Sequence, residues 1–267
     1  MADPNSAYIE SIEAWREQME KNLRGPYSWL ALFGLFWLQE GENAIGSAPG
    51  SAIQLPERAP GEAGTLHLQD GQVTLHLQGK TPRPVRVIGD GEPDYFFVDE
   101  IRLAVIERGG QLAVRGWDLQ HPTRLHFTGR TWYPVDPAYR VTARVEPYDP
   151  LKAVVIDDMI GNQNPAHMDA ALVFEINGQE ERLDAQLLTD GSYDITFKDA
   201  SAGHGTYPAA RFVQSEVAQG DTVILDFNRA YSPPCAFTDF ATCPLPTPEN
   251  LLDVAIEAGE KYGKDEG

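Results

Sequence analysis

Residues 64–77 read GTLHLQDGQVTLHL, and this stretch carries the plainest information on the fold. Leucines alternate with polar residues on both sides of Asp70-Gly71, a pattern typical of two half-buried strands. An Asp-Gly pair supplies the positive φ angles that a two-residue type I′ turn needs. Similar pairs lie between strand-like runs at Gly109-Gly110, Asn177-Gly178 and Asp190-Gly191. Four hairpins predict a mainly β protein with an antiparallel sandwich or barrel.

Both ends of the chain are predicted to be helical. Near the N-terminus four apolar residues recur at helical spacing, namely Tyr8, Ile12, Trp15 and Met19. Gly25-Pro26 is expected to end this helix. Near the C-terminus Thr247 suits an N-cap and Pro248 suits the first helical position. The second helix would dock on the sheet through Leu252, Ala255, Ile256 and Gly259.

A domain boundary is predicted where proline and aromatic residues interrupt the strand pattern, in GRTWYPVDP at residues 129–136. The sequence then divides into an N-terminal helix and linker at 1–33, a β-sandwich at 34–130 and a second antiparallel β unit or barrel at 131–267. The last of these would include the C-terminal helix.

The formal net charge is −19, and most of the 21 basic residues are arginine. A carboxylate-rich surface stays hydrated when salt screens its self-repulsion. Adaptation to high salt is one interpretation, and an ordinary acidic protein from a GC-rich genome is the other. Because no basic stripe is available to neutralise phosphates, we expect neither nucleic acid nor a membrane surface as a partner.

The N-terminus is polar and charged, unlike a signal peptide. The apolar run at residues 29–38 is shorter than the roughly 20 residues that span a bilayer, so we expect a cytoplasmic protein. Two cysteines, Cys235 and Cys243, do not form a disulfide framework. A zinc site would need His204 and a second histidine, without the short spacing of known zinc motifs. We expect no cofactor and no metal.

Two stretches resemble a known family. ITFKDASAGHGTYPAARF at 195–212 and LDFNRAYSPPCAFTDFATCPLPTPENLLDVAIEAGEKY at 225–262 resemble domain-of-unknown-function family 1684. The resemblance extends more loosely back to GLFWLQEGEN at 34–43. It implies a fold shared with that family and brings no established activity.

GENAIGSAPGSAIQLP at 41–56, followed by residues 64–77, resembles the opening strands of a forkhead-associated sandwich. Such domains bind phosphothreonine through an arginine directly after the Ile-Gly pair, where this chain has Ser47, and through a second Ser-Arg-x-x-His stretch that is missing here. Without these groups a phosphate loses its charge-assisted hydrogen bonds. We therefore expect no phosphopeptide binding.

The segment DASAGHGTYPAAR at 199–211 is dense in reactive groups. His204, Tyr207 and Arg211 are candidates for an acid, a hydrogen-bond donor and an anion clamp on a glycine-rich loop. The alternative is a turn in which Arg211 pairs internally with Asp199 or Asp226.

The second group of candidates is Asn228, Arg229, Tyr231, Cys235 and Cys243, and Pro233-Pro234 stiffens the approach to Cys235. Buried, inert packing of Cys235 is the alternative. We predict that the two segments meet, with His204 or Tyr207 in contact with the second segment.

Two functions stay open at this point. The first is binding of a small molecule or partner in a cleft, to which Tyr193 would also contribute. The second is a hydrolase that uses His204 as base with Cys235 or Ser201 as nucleophile. The sequence leaves the oligomeric state open.

Overall fold

The computed structural model describes residues 4–87 and 94–263 of the chain. The chain divides into two compact units. The first, called the sandwich unit here, is Leu23–Phe127, and the second, called the half-barrel unit, combines the residues up to Asn22 with those from Thr128 onward. Each unit has a hydrophobic core of its own.

The predicted N-terminal helix is confirmed as α1, Pro4–Leu23. Ile12 of the apolar stripe is fully buried, and Trp15 and Met19 are half-buried. The helix ends before Gly25-Pro26, where glycine and proline disfavour a further turn. Within the described residues, no helix combines the length and the apolar character needed to cross a membrane.

The sandwich unit is built from short strands in two sheets. Its described elements are β1 (Leu32–Trp37), β2 (Gly41–Gly46), β3 (Ile53–Gln54), β4 (Gly64–Gln69), β5 (Gln72–Leu77), β6 (Arg83–Val85), β7 (Phe96–Val98), β8 (Ile101–Arg108), β9 (Gln111–Trp117) and the helical turn α2 (Pro122–Leu125). The sheets have the orders β3-β2-β4-β5-β6 and β1-β9-β8-β7.

The two sheets of this unit share one core, to which Ile45 and Leu66 contribute from one sheet and Leu103 and Val114 from the other. Strand pairs are antiparallel apart from β2 with β3. The predicted antiparallel β architecture is therefore confirmed, while the likeness to forkhead-associated domains stays a prediction.

Three of the four predicted hairpin turns form as two-residue turns with positive φ at both positions. These are Asp70-Gly71 at 51° and 77°, Gly109-Gly110 at 57° and 76°, and Asn177-Gly178 at 53° and 75°. The fourth hairpin has a wider loop at residues 188–192, closed by a 2.8 Å hydrogen bond from Leu188 N to Ser192 O. Asp190 stabilises this wider loop because its carboxylate accepts hydrogen bonds from the backbone N–H and the hydroxyl of Ser192.

The half-barrel unit contains a curled antiparallel sheet and a small two-stranded sheet. Its described strands are β10 (Thr131–Trp132), β11 (Arg140–Asp157), β12 (Gln163–Ile176), β13 (Gln179–Leu187), β14 (Tyr193–Phe197), β15 (Arg211–Gln214), β16 (Thr222–Asp226) and β17 (Glu260–Lys261). The large sheet has the order β15-β14-β13-β12-β11-β16, and β10 pairs with β17.

The edge strands β15 and β16 approach each other just beyond the end of β15, where Glu216 N donates to Ile224 O at 2.9 Å. The sheet therefore curls into a half-barrel around its core. Phe227 fills the middle of that core, with its ring 5.5 Å from Phe174 and 5.4 Å from Phe197.

The predicted C-terminal helix is wrong. Residues 248–250 form one 3₁₀ turn, and the following chain is irregular up to β17, with alternate residues buried from Leu252 to Ala258. Asn250 fixes this path because its amide donates to Asp184 O and Thr196 O and accepts from Asp184 N. These bonds to two strands are incompatible with continuing a helix at this point.

Candidate functional site

The two segments predicted from sequence meet in the half-barrel unit, so that prediction is confirmed. The hydroxyl of Tyr207 donates to the backbone oxygen of Cys235 at 3.1 Å. Phe212, next to Arg211, exchanges two 2.9 Å backbone hydrogen bonds with Tyr231. The second segment thereby continues the sheet at β15 and brings its side chains to the edge of the barrel.

Arg211 lies inside the protein, with 1% of its surface exposed. Its Nη2 is 2.5 Å from Asp199 Oδ2 and donates to Ile256 O, and its Nη1 donates to Ala258 O at 2.6 Å. This matches the internal Asp199 pair that the sequence left open as an alternative. Both terminal nitrogens bind protein atoms, so the described geometry gives Arg211 a structural role.

The turn before Tyr207 is held by its own hydrogen bonds. Asp199 Oδ1 accepts from the backbone and hydroxyl of Ser201 at 2.8 and 2.5 Å, and Thr206 contacts the same hydroxyl at 2.9 Å. Ser201 is buried by these contacts, whereas His204 is exposed at the tip of the turn. Ser201 thus faces a carboxylate and a second hydroxyl, which are not the arrangement of a serine nucleophile with a histidine base.

Asn228 and Tyr193 are also directed inward. The Asn228 amide donates to Tyr8 Oη, Asp136 O and Asp226 Oδ1 within 3.0 Å, and its oxygen accepts from Asp136 N at 2.9 Å. Tyr193 packs in the barrel core, and burial raises its pKa, with the Asp169 charge adding to the effect. Asn228 therefore joins helix α1 to the barrel.

Tyr231 lies in a cleft of about 420 Å³ within the half-barrel unit. The cleft is lined by Trp15, Met19, Asp190, Ser192, Gln214, Ser215, Glu216, Val217, Arg229 and Tyr231. The volume falls within the roughly 300–1,000 Å³ of ligand pockets. Of the residues predicted as site candidates, Arg229 and Tyr231 are in this lining.

One wall of the cleft is aromatic and carries a cation. The Trp15 ring is 6.4 Å from the Tyr231 ring, and Phe212 supports Tyr231 from behind at 5.8 Å. The Arg229 guanidinium lies 6.0 Å from the Trp15 ring and 36% of its side chain is exposed. Among the carboxylates that the structure describes, that of Asp226 is nearest, at 3.9 Å. At that distance the guanidinium keeps donors available for a ligand.

Other residues of the lining form a polar wall, which is held in place by a relay of hydrogen bonds. Gln214 donates to the Ser192 hydroxyl at 2.8 Å, and Ser192 donates to Asp190 at 2.6 Å. These bonds from Ser192 lower the pKa of Asp190. Glu216 is paired with Arg140 at 2.7 Å. The wall presents carboxylate oxygens that accept hydrogen bonds.

Sequence reasoning missed most of this cleft. The sequence places Trp15 and Met19 in the packing stripe of α1 and Asp190 in a hairpin turn, and it gives Ser192 no role. One signal in the sequence could have pointed to the cleft. The apolar stripe of α1 ends in Trp15, which has a polar N–H, and Met19, which is flexible, and both residue types are common at binding surfaces.

Cys235 and Cys243 lie together, and they are not joined in a disulfide. The backbone N–H of Cys235 donates to Cys243 Sγ at 3.1 Å. A side-chain hydrogen bond with Cys243 lowers the pKa of Cys235 to about 7, against the effect of burial and with the help of Tyr207. Among the described residues, no group of three or more His, Cys, Asp and Glu side chains is arranged to hold a metal ion.

In the sandwich unit, the side chain of Ser47 forms an internal hydrogen bond. The Ser47 hydroxyl donates to Ala59 O at 2.6 Å. A neighbouring cleft of about 420 Å³ runs along residues 44–51 and 61–65, and Glu62 is the charged residue in its described lining. The absence of phosphopeptide binding stays a prediction.

Comparison with known proteins gives a family and a solved structure. The family model described as "Protein of unknown function (DUF1684)" matches residues 125–261. An uncharacterised protein of Haloarcula marismortui, studied by solution NMR, is 30% identical over 54% of this chain and 81% of that one, with a TM-score of 0.44. No curated protein matches the chain.

Proposed function

This chain belongs to the DUF1684 family of proteins of unknown function, and from that premise we propose that it binds a small organic molecule in the cleft beside helix α1. The resemblance noted at residues 195–212 and 225–262 is thereby confirmed at the level of the family. The family brings no activity, so the argument for binding rests on the cleft alone.

The observation that carries the proposal is the pairing of two unlike walls around one cavity. Trp15 and Tyr231 offer apolar ring surface, and Arg229 offers a guanidinium with exposed donors. In the same lining, Asp190 and Glu216 offer acceptors. Ligand sites commonly combine apolar surface with a few oriented polar groups.

These walls define the chemical class of the ligand. A flat apolar part fits against the aromatic wall, an anionic group fits Arg229, and a donor or cationic group fits the carboxylates of Asp190 and Glu216. A small zwitterion with an aromatic or other planar part meets all three requirements. Nucleotide di- and triphosphates do not, because their charge would meet the carboxylates of the polar wall.

The experiment is a saturation-transfer NMR screen of small aromatic anions and zwitterions against the whole chain, followed by titration of each hit. Arg229→Gln is expected to weaken binding about 10- to 100-fold, because a charge-assisted hydrogen bond contributes about 1.5–3 kcal/mol. Val217→Trp is expected to abolish binding by filling the cleft, and the side chain is 55% exposed, so the fold tolerates the change.

Val155→Trp is the matched control, since Val155 is 56% exposed and lies outside the cleft lining. Binding that survives Val217→Trp as well as it survives Val155→Trp would refute this site. A screen that yields no hit sensitive to Arg229→Gln would refute the ligand class.

A hydrolase with Cys235 as nucleophile is the second candidate, and the lowered pKa of this thiol favours it. Its neighbours in the structure are Tyr207 and Cys243, while His204 is exposed on its turn. Repeated turnover of p-nitrophenyl esters that is lost in Cys235→Ala would support the hydrolase. A single acylation of Cys235 without turnover would argue against it.

A further inference from the structure

The thiols of Cys235 and Cys243 are brought together by a segment that is fastened on both sides of the pair. They are the only cysteines in the sequence, and seven residues separate them. The 3.1 Å contact from Cys235 N to Cys243 Sγ places one sulfur beside the backbone that carries the other.

Cys235 is fixed by the short 3₁₀ turn Pro234–Ala236 and by Tyr207. Backbone hydrogen bonds of 2.9 Å run from Ala236 N to Pro233 O and from Phe237 N to Pro234 O. Tyr207 Oη holds Cys235 O from the other side. The rigid turn limits the directions that the Cys235 side chain can take.

Cys243 is fixed from a different direction, by the turn that follows β11. Its carbonyl accepts from Met159 N at 3.0 Å, and the next residues continue this pairing with Leu245 N to Asp157 O at 2.8 Å. Two independent sets of backbone bonds therefore converge on one pair of sulfurs. Such convergence is characteristic of a prearranged site rather than of an incidental contact.

The two thiols differ in accessibility. Cys235 is half-buried, whereas Cys243 is buried. An outer thiol beside an inner one is the arrangement in which the first attacks an external disulfide and the second resolves the product.

We propose that Cys235 and Cys243 form a dithiol site that exchanges with low-molecular-weight disulfides, with Cys235 as the attacking thiol and Cys243 as the resolving thiol. The oxidant is a disulfide RSSR, such as glutathione disulfide. The thiolate of Cys235 attacks one sulfur of RSSR, which forms a mixed disulfide and releases one RS⁻.

Cys243 then loses its proton to solvent and attacks the Cys235 sulfur. The Cys235–Cys243 disulfide forms, the second RS⁻ leaves, and both leaving groups take up protons. Two protein thiols are thus oxidised by two electrons, and one RSSR is reduced to two RSH. The reverse sequence, with a reducing thiol in excess, restores the dithiol.

The reactive form of Cys235 is available near neutral pH because its pKa is lowered to about 7. Burial and the neighbouring Cys235 raise the pKa of Tyr207, so its hydroxyl stays protonated and continues to donate. Tyr262 also faces Tyr207, with ring centroids 4.8 Å apart. After the lower nucleophilicity of a more acidic thiol is taken into account, exchange at pH 7 should be roughly 5-fold faster than for an ordinary thiol.

The test uses the reduced full chain and glutathione disulfide. After acid quenching, alkylation and trypsin digestion, both cysteines lie in one peptide, residues 230–261, because the sequence has no Lys or Arg between Arg229 and Lys261. We expect a mass loss of two hydrogens in this peptide and no alkylation, and we expect the intact chain to stay monomeric, with the same loss of two hydrogens and no bound glutathione.

Variants separate the two roles. Cys243→Ser should trap a stable glutathione adduct on Cys235, and Cys235→Ser should react at least about 10-fold more slowly through the buried Cys243. Tyr207→Phe should move the pH profile of Cys235 alkylation upward while the circular dichroism spectrum is unchanged.

The wild-type measurement is sufficient even if a variant fails to fold. A glutathione adduct that persists on wild-type Cys235 would overturn the proposal, because Cys243 would then not be resolving. A chain whose thiols stay reduced in excess glutathione disulfide until it is unfolded, or one that crosslinks only between molecules, would overturn it as well.

Discussion

Replacing Arg211 with methionine is expected to destabilise the half-barrel unit by about 3–5 kcal/mol, the usual cost of removing one partner from a buried ion pair. The guanidinium binds Asp199 at 2.5 Å and the carbonyls of Ile256 and Ala258 at 2.9 and 2.6 Å. Methionine keeps an unbranched apolar side chain in the same space, so the change removes charge and donors more than volume.

A cost at the lower end of the range of about 3–5 kcal/mol is expected, because Asp199 keeps several hydrogen bonds in the variant. Its Oδ1 still accepts from the backbone and hydroxyl of Ser201 and from Ile256 N, so the carboxylate is not left wholly without partners. The carbonyls of Ile256 and Ala258 do lose their donor. A cost near 3 kcal/mol is still a large part of the roughly 5–15 kcal/mol that stabilises a domain.

A chain with two compact units need not unfold in one step. Urea unfolding is therefore followed by hydrogen exchange on peptides of residues 195–214 and 252–261, which report the loss of stability in the half-barrel unit alone. Arg140→Met is the matched control. The Arg140–Glu216 pair is 2.7 Å long but exposed, and such pairs contribute about 0–1 kcal/mol.

A double-mutant cycle with Asp199→Asn tests whether the loss of the Arg211–Asp199 ion pair causes the destabilisation. The double variant should be more stable than the sum of the single changes implies, by about 1–3 kcal/mol, because the uncompensated charge is gone. If Arg211→Met costs no more than Arg140→Met, or if the cycle shows no coupling, the structural role given to Arg211 is refuted.

Three further predictions concern pH, the helix and salt. Burial raises the pKa of Glu260 to about 7, against the opposing effect of Arg130, so between about pH 5 and 7 the folded state binds a proton that the unfolded state has already lost. The free energy of unfolding should therefore fall by up to about 3 kcal/mol between about pH 5 and 8. Glu260→Gln should remove this pH dependence in urea titrations. An equal slope in both proteins would contradict this. Asn228→Ala should cost about 1–3 kcal/mol and raise hydrogen exchange along α1, whereas Gln18→Ala on its exposed face should not; equal exchange in the two variants would count against the anchoring role. The melting temperature should rise from low to molar potassium chloride if the carboxylate surface is a salt adaptation, and a flat or falling curve would leave the ordinary acidic protein.

The hairpins could be predicted from sequence because their causes are local. Asp70-Gly71 and Asn177-Gly178 need positive φ angles, which their own residue types supply. The alternating leucines around Asp70-Gly71 then set the register. The wider loop at residues 188–192 escaped prediction because the bonds from Ser192 to Asp190 compete with the tight turn.

The C-terminal segment shows where local reasoning fails. Thr247 and Pro248 fit the start of a helix, yet Leu252, Val254 and Ile256 also alternate with polar or small residues as in a strand. A short stretch of this kind suits both periods. The choice is made by Asn250, whose bonds reach Asp184 and Thr196, more than 50 residues away in sequence.

The candidate site was predictable only in part, because some of its features depend on local sequence and others on distant partners. Loop composition was enough to predict that residues 199–211 and 228–235 meet, because polar, glycine- and proline-rich loops cluster on one face of a β scaffold. It could not distinguish an arginine facing a ligand from one paired inside, since Arg211 has the same local sequence in both cases. The contact of Cys235 with Cys243 likewise depends on distant residues, because Met159 N binds Cys243 O and Leu245 N binds Asp157 O.

The position of the cleft follows from one 3₁₀ turn, Phe227–Arg229, whose three side chains point to three different structures. Phe227 fills the barrel core, Asn228 holds Tyr8 of helix α1, and Arg229 reaches the cleft. Burial and the Asp226 charge raise the pKa of Tyr8, so its hydroxyl stays protonated and donates to Asp226 at 2.9 Å. The helix that supplies Trp15 and the turn that supplies Arg229 are therefore held by the same hydrogen-bonded group. Because the core fixes Phe227, the aromatic wall and the cation of the cleft keep their relative positions without any contribution from a ligand.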